Sequence, residues 1–133
     1  MTYFLDTNTC IYYLKGVHPT LAQRLLAHNP SDIRIPSVVK AELLYGAKRS
    51  KKQAENLEKI RQFLLPLEIV PFASEDAERY ATIRADLERA GTPIGPNDLL
   101  IAATVLENGG ILITNNEKEF KRVSKLKIEN WTK

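Results

Sequence analysis

The sequence predicts an α/β protein with a central parallel sheet of about five short strands flanked by helices. Short apolar runs alternate along the chain with longer segments whose apolar residues recur at helical spacing, which is typical of such a fold. The chain has 133 residues, of which 44% are hydrophobic and 26% charged, a composition that suits a globular protein. We expect one domain spanning residues 1–133, because no repeat or linker-like segment divides it.

The first half of the chain is expected to supply three strands and four helices. In order, these are strand 3–5, a helix through residues 11–14, helix 19–28, strand 33–35, helix 38–48, helix 51–63 and strand 68–70. Ser37 is expected to cap the helix that follows it, because its hydroxyl can accept a hydrogen bond from a free backbone N–H. Pro36 and Pro66 end the segments before them.

The second half is expected to supply three helices and two strands. In order, these are helix 74–90, helix 97–108, strand 111–114, a short helix at 117–122 and a weak edge strand at 126–129. Gly91 and Pro93 close the first of these helices, and Gly109 with Gly110 turns the chain into the strand at 111–114.

Composition excludes several classes of protein. Cys10 is the only cysteine, which excludes an internal disulfide framework and a cysteine-rich zinc site. The net charge of +3 is mild and suits an anionic partner without requiring one. No apolar run approaches membrane-spanning length, and Asp6 interrupts the first apolar run, so we expect a cytoplasmic protein with neither a signal peptide nor a membrane partner.

Asp6 directly follows the first predicted strand. Ligands of open parallel sheets bind beyond the carboxyl ends of the strands, so Asp6 is a candidate site residue. Capping the next helix is the alternative role for this aspartate.

Glu42 and Asp98 are acids within otherwise apolar helical segments. The residues three or four positions from Glu42 include Val38, Val39 and Tyr45, which predicts that Glu42 lies on an apolar stripe. An ion pair with a basic residue is its alternative role. Asp98 precedes a helix that is apolar nearly all round, where an acid in the first turn also stabilises the helix dipole.

Together these acids favour a metal site. Carboxylates that converge repel one another unless they are protonated or neutralised by a cation. Mg²⁺ prefers oxygen ligands and keeps several waters, so two or three carboxylates suffice. Such an ion can activate water and stabilise charge on a phosphate, which makes phosphodiester hydrolysis the natural chemistry. Thr114-Asn115-Asn116, at the end of the strand at 111–114, offers a fourth position, although turn formation also explains the asparagines.

Three blocks of sequence resemble the VapC toxins of the PIN-domain family over essentially the full length. They are YFLDTNTCIYYLKG, IPSVVKAELLYGA and PIGPNDLLIAATVLENGGILITNNEKEF. The resemblance implies a PIN-like fold and an Mg²⁺- or Mn²⁺-dependent endoribonuclease that cuts structured RNA such as tRNA. It implies a VapB-type antitoxin as inhibitor, a homodimer, a toxin–antitoxin hetero-oligomer, and operator DNA bound only indirectly through the antitoxin.

The resemblance also assigns the site residues. The catalytic acids fall on Asp6, Glu42 and Asp98, with Asp6 and Asp98 as metal ligands. The position that is Asp in many PIN nucleases falls on Asn116, which leaves open whether Asn116, Glu119 or water completes the site. Residues expected to support the ligands by hydrogen bonds are Thr7, Asn8, Thr114 and Glu119.

Two basic runs are candidate RNA contacts, although solvated helix surfaces are the favoured explanation of both. They are Lys48, Arg49, Lys51 and Lys52, and Lys118, Lys121, Arg122 and Lys125. Two other functions remain open from the residues. One is a PIN module that binds RNA or protein without catalysis. The other is a phosphatase with Asp6 as nucleophile, although its second aspartate would be Asn8 and no glycine-rich phosphate loop is present.

Overall fold

The computed structural model describes residues 1–133 and contains one five-stranded sheet surrounded by helices. The strands are β1 (Tyr3–Leu5), β2 (Ile33–Pro36), β3 (Glu68–Val70), β4 (Ile111–Ile113) and β5 (Lys127–Glu129). The helices are α1 (Thr7–Lys15), α2 (Pro19–Leu26), α3 (Ser37–Lys48), α4 (Gln53–Leu64), α5 (Ser74–Arg89), α6 (Pro96–Asn108) and α7 (Glu117–Phe120), with a 3₁₀ turn at Pro30–Asp32. The predicted α/β class and strand number are confirmed.

All strand pairs are parallel, and the strand order is β3-β2-β1-β4-β5. The central strand β1 pairs with β2 on one side and with β4 on the other, and Leu5 lies opposite Ile113. The chain first builds outward through β2 and β3 and then crosses to the other side of β1. The carboxyl ends of β1 and β4 therefore form the switch point where ligands bind in open parallel sheets.

The core lies on both faces of the central strands. Phe4, Leu5, Leu112 and Ile113 have no exposed surface, as expected for strands covered by helices on both sides. Helix α6 is buried along nearly its whole length from Leu99 to Val105, which confirms the prediction from its apolar sequence. No helix is both long enough and apolar enough to cross a membrane.

The turn between α6 and β4 depends on two glycines. Gly109 ends α6 in the left-handed backbone conformation, with φ of 69°, which glycine adopts without a steric penalty. Gly110 lies against the ring of Phe4, and a Cβ at this position would collide with that ring. This turn fixes β4 beside β1 and thereby brings Thr114 next to Asp6.

The predicted role of Ser37 is wrong. Pro36 occupies the position before α3, and no side chain caps that helix. The Ser37 hydroxyl instead accepts a hydrogen bond from the backbone N–H of Phe72, at 3.2 Å. The hydroxyl therefore ties the start of α3 to the chain that leaves β3.

Candidate active site

Asp6 lies at the carboxyl end of β1 and is only 4% exposed. Its Oδ1 accepts the backbone N–H of Thr9 at 2.8 Å, which caps α1, and its Oδ2 accepts the Thr114 hydroxyl at 2.5 Å. Burial raises the pKa of Asp6, while the hydrogen bonds from Thr114 and Thr9 act in the opposite direction. Asp6 is thus both a helix cap and a fixed carboxylate at the switch point.

Two buried threonines hold Asp6 in place. The Thr114 hydroxyl also accepts the backbone N–H of Asn116, at 2.9 Å. The Thr9 hydroxyl donates to the carbonyl of Ile113 at 3.1 Å and so joins the first turn of α1 to the end of β4. Sequence reasoning missed Thr9. A capping role for Asp6 predicts the hydrogen bond from the Thr9 backbone N–H. The contact of the Thr9 hydroxyl is not predictable in this way, because it depends on β4 lying beside β1.

Glu42 is half-buried, and its Oε1 accepts the hydroxyl of Thr7 at 2.7 Å. The predicted apolar stripe is present only on the N-terminal side of Glu42, where Val39 is buried, whereas Tyr45 on the other side is exposed. Glu42 therefore lies at the edge of the buried face of α3. Glu42 forms no ion pair, and Thr7 is its hydrogen-bond partner. The side chain of Asn8 is exposed and makes no hydrogen bond.

Asp98 lies in the first turn of α6 and is half-buried. Burial, the nearby Glu119 carboxylate and Asp6 raise the pKa of Asp98 to about 6, with a smaller contribution from Glu42. These electrostatic couplings show that α1, α3, α6 and α7 bring their acids into one neighbourhood. The three predicted acids therefore lie together, with Glu119 as a fourth.

Asn116 and Glu119 form a pair of their own. The Asn116 amide donates to Glu119 Oε2, so Asn116 is occupied in holding Glu119. Glu117 has a different environment, since hydrogen bonds from Asn130 and Lys133 lower its pKa. Of the two glutamates in α7, only Glu119 contributes to the acidic neighbourhood of Asp98.

The four carboxylates have no basic partner. None of the seven ion pairs in the structure includes Asp6, Glu42, Asp98 or Glu119. No three of these side chains approach closely enough to enclose an ion by protein atoms alone. Mg²⁺ commonly takes one or two carboxylates and keeps its remaining ligands as water. The uncompensated charge and the hard oxygen donors therefore fit a hydrated divalent cation.

The two basic runs lie on the surface. Lys48, Arg49, Lys51 and Lys52 are exposed and form no ion pair. In the second run, the Arg122 guanidinium donates to the carbonyl of Pro93 at 3.0 Å. Only the first run follows directly from the helix that carries Glu42.

Comparison with known proteins identifies the family. The PIN domain model matches residues 3–126. Ribonuclease VapC2 of Rickettsia felis is 45% identical over the full length of both chains. The chain belongs to the VapC branch of the PIN-domain family. A second VapC relative, the tRNA(fMet)-specific endonuclease VapC of Salmonella typhimurium, is 37% identical over 98% of each chain.

Solved VapC structures have the same fold. DNA-bound VapBC from Salmonella typhimurium contains a chain that matches with a TM-score of 0.93 at 37% identity, covering 98% of each chain. VapBC2 from Rickettsia felis, bound to a promoter DNA fragment, gives a TM-score of 0.90 at 43% identity, covering 98% of this chain and 99% of that one. The PIN-like fold expected from the resemblance is confirmed.

Proposed function

We propose that this VapC-family chain is a toxic endoribonuclease that hydrolyses phosphodiester bonds in structured RNA such as tRNA and requires Mg²⁺ or Mn²⁺. One observation carries the proposal. Four carboxylates without a basic partner lie at the switch point of the sheet, and one of them, Asp6, is held rigidly by two threonines. Since RNA is the substrate, the protein acts in the cytoplasm.

Asp6 and Asp98 are the residues that would hold the cation. When bound, the ion would supply an activated water and stabilise negative charge on the scissile phosphate. Asp6 needs little reorganisation to bind it, because both carboxylate oxygens are already oriented by hydrogen bonds. The charge of Asp98 is less stabilised than that of an exposed aspartate, since burial and Glu119 raise its pKa to about 6.

Glu42 and Glu119 complete the catalytic group. Thr7 fixes Glu42 through Oε1, which leaves Oε2 free of protein hydrogen bonds and able to orient water or accept a proton. Asn116 holds Glu119 beside Asp98, so we assign the fourth acidic position to Glu119 and a supporting role to Asn116. Thr114 supports the site from the other side through Asp6.

We further propose that a VapB-type antitoxin neutralises the toxin. The relatives from Salmonella typhimurium and Rickettsia felis form VapBC complexes that bind DNA. By similarity, this chain forms a homodimer and a hetero-oligomer with its antitoxin, and contacts operator DNA only through the antitoxin. A small reading frame adjacent to its gene is expected to encode a partner that co-purifies with it.

The direct test is cleavage of purified tRNA or total RNA by the purified chain, with Mg²⁺, with Mn²⁺ and with EDTA. We expect discrete fragments with either metal and none with EDTA, and no fragments from the Asp98→Asn variant. Cleavage that persists in EDTA would refute the metal role. Binding of RNA without cleavage would favour an inactive binding module, and hydrolysis of p-nitrophenyl phosphate alone would favour the phosphatase alternative.

A further inference from the structure

Tyr45 is the only aromatic residue of the chain that is exposed, with 65% of its surface accessible. It lies on α3 three residues after Glu42, so the two side chains are neighbours on the helix surface. An exposed tyrosine contributes nothing to the core. Its position beside a catalytic acid indicates contact with something that reaches the active site.

Arg49 packs on the Tyr45 ring, with its guanidinium carbon 5.3 Å from the ring centroid. Glu42, Tyr45 and Arg49 therefore follow one another along a single stripe of α3, from the acids outward. The ring has a cation over it and still keeps most of its surface open. Such an arrangement combines a stacking surface with a phosphate-binding group.

The surface around Tyr45 is positively charged and unpaired. Lys48, Lys51 and Lys52 are exposed, and neither they nor Arg49 form an ion pair. The three arginines of α5, by contrast, all form ion pairs: Arg84 with Glu88 and Arg89 with Asp86 in the same helix, and Arg79 with Glu107 of α6. Four unpaired cations at the end of the helix that carries Glu42 complement a polyanion that passes through the site.

We propose that Tyr45 stacks on a nucleobase of the RNA substrate next to the scissile phosphate, while Arg49 and Lys48 bind the phosphates that follow. The inference rests on the proposed ribonuclease function. The rise from Glu42 to Tyr45 is about 4.5 Å along the helix axis, at about 1.5 Å per residue. That rise is short enough for the stacked base to belong to a nucleotide close to the cut.

A protein partner fits this surface less well than RNA. The other exposed large apolar side chains, Met1, Val17, Leu26 and Leu65, all lie outside α3. The core of a protein interface is usually apolar and depleted of charge, whereas Tyr45 is followed by a cluster of cations. Aromatic rings flanked by basic residues are typical of surfaces that bind single-stranded nucleic acid.

The first measurement is the affinity for a short fluorescein-labelled single-stranded RNA, by fluorescence anisotropy in EDTA so that no cleavage occurs. We expect Tyr45→Ala to weaken binding about tenfold, since a stacked base contributes on the order of 1–3 kcal/mol. Tyr45→Phe keeps the stacking surface and is expected to bind as the wild type does. Arg49→Ala is expected to weaken binding and to reduce its salt dependence.

Arg84→Ala is the matched control for Arg49→Ala. Arg84 is exposed and lies four residues after Tyr80, whose hydroxyl it contacts, but it is on α5 and faces no acid of the site. Leu65→Ala is the control for loss of an exposed apolar side chain. Neither control is expected to change RNA affinity.

The second measurement pairs the protein variants with abasic substitutions in a cleavable RNA. If Tyr45 stacks on one base, removing that base lowers kcat/KM of the wild type about as much as Tyr45→Ala does, and the two changes together cost no more than either alone. Wild-type affinity and cleavage in Tyr45→Ala would overturn the stacking proposal and leave the ribonuclease function standing.

The remaining outcomes are also decisive. A Tyr45→Ala defect that comes with a changed molar mass in light scattering would make this surface a protein interface and overturn the proposal. Wild-type protein that binds RNA through Tyr45 but never cleaves it would refute the proposed function and support the binding surface. No RNA binding by the wild type would overturn both.

Discussion

Thr114→Val tests how strongly the fold preorganises Asp6. Thr114 has no exposed surface, and its hydroxyl donates to Asp6 Oδ2 at 2.5 Å while accepting the Asn116 N–H at 2.9 Å. Valine has nearly the same shape and removes both hydrogen bonds. The substitution therefore measures the contribution of the two hydrogen bonds with little change in the packing of the side chain.

The loss of unfolding free energy in Thr114→Val follows from these two hydrogen bonds. A hydrogen bond to a charged group contributes about 1.5–3 kcal/mol, and the lost bond to Asn116 costs less because that residue is half-buried and can bond to water. The added methyl group returns up to about 0.8 kcal/mol. We expect the metal-free protein to lose about 2–3 kcal/mol of unfolding free energy at neutral pH. The pKa of Asp6 rises further, because one of the bonds that lower it is gone.

Urea unfolding in EDTA measures this cost, and the fluorescence of the single tryptophan, Trp131, reports it because that side chain is 1% exposed. Thr104→Val is the matched control. Thr104 is also buried, but its hydroxyl donates at 2.8 Å to a neutral carbonyl of its own helix, that of Leu100, so we expect a cost below about 1 kcal/mol. The reasoning is refuted if Thr114→Val costs no more than Thr104→Val, or if its cost is unchanged in an Asp6→Asn background.

Three further predictions concern the other acids. Asp98→Asn is expected to abolish RNA cleavage and the rise in Tm on adding Mg²⁺, and near-native activity would contradict the metal assignment. The pKa of Asp98 is about 6 in the folded protein, above its ordinary value of 3.8, so protonation of Asp98 stabilises the fold. In EDTA the Tm of the wild type is therefore expected to fall as pH rises through about 6, and the Tm of Asp98→Asn is expected to fall less. At limiting Mg²⁺, kcat/KM is expected to fall as pH is lowered through the same range, and a flat profile would count against Asp98 as a ligand. Glu119→Gln is expected to slow cleavage and to lower the pKa of Asp98 in carbon NMR, whereas Glu117→Gln, with the same charge change two residues away, is expected to alter neither.

Strands β1 and β4 were predictable because each is a short apolar run that ends at a polar residue, whereas β5 has a single apolar residue and was expected only as a weak edge strand. The site was predictable only in part. Asp6 had two alternative roles in the sequence, helix cap and site carboxylate, and it has the geometry for both because its two oxygens point to different partners. For Glu42 the local pattern was half right, since Val39, three residues before it, is buried, whereas Tyr45, three residues after it, is exposed.

The contacts that complete the site could not be derived from local sequence. Thr7 and Glu42 are 35 residues apart, Thr9 and Ile113 are 104 apart, and Thr114 and Asp6 are 108 apart. Each contact depends on the order of strands in the sheet. Sequence rules for helix caps and helix faces relate residues that are a few positions apart, so they do not predict contacts at these separations. The grouping of Asp6, Glu42 and Asp98 was expected from their positions in apolar surroundings, and the resemblance to VapC toxins added the fourth position and RNA as the substrate.

The two proposed ligands differ in how the protein stabilises their charge. Hydrogen bonds from Thr9 and Thr114 offset part of the cost of burying Asp6, so its carboxylate is oriented before any cation arrives. Asp98 has no such support, and burial together with Glu119 raises its pKa to about 6. A divalent cation would therefore meet an Asp6 carboxylate that is already oriented, and it would favour the loss of the proton that Asp98 holds below about pH 6. Metal affinity should accordingly depend on pH through Asp98 and on fold rigidity through Thr114, which makes the two effects separable by experiment.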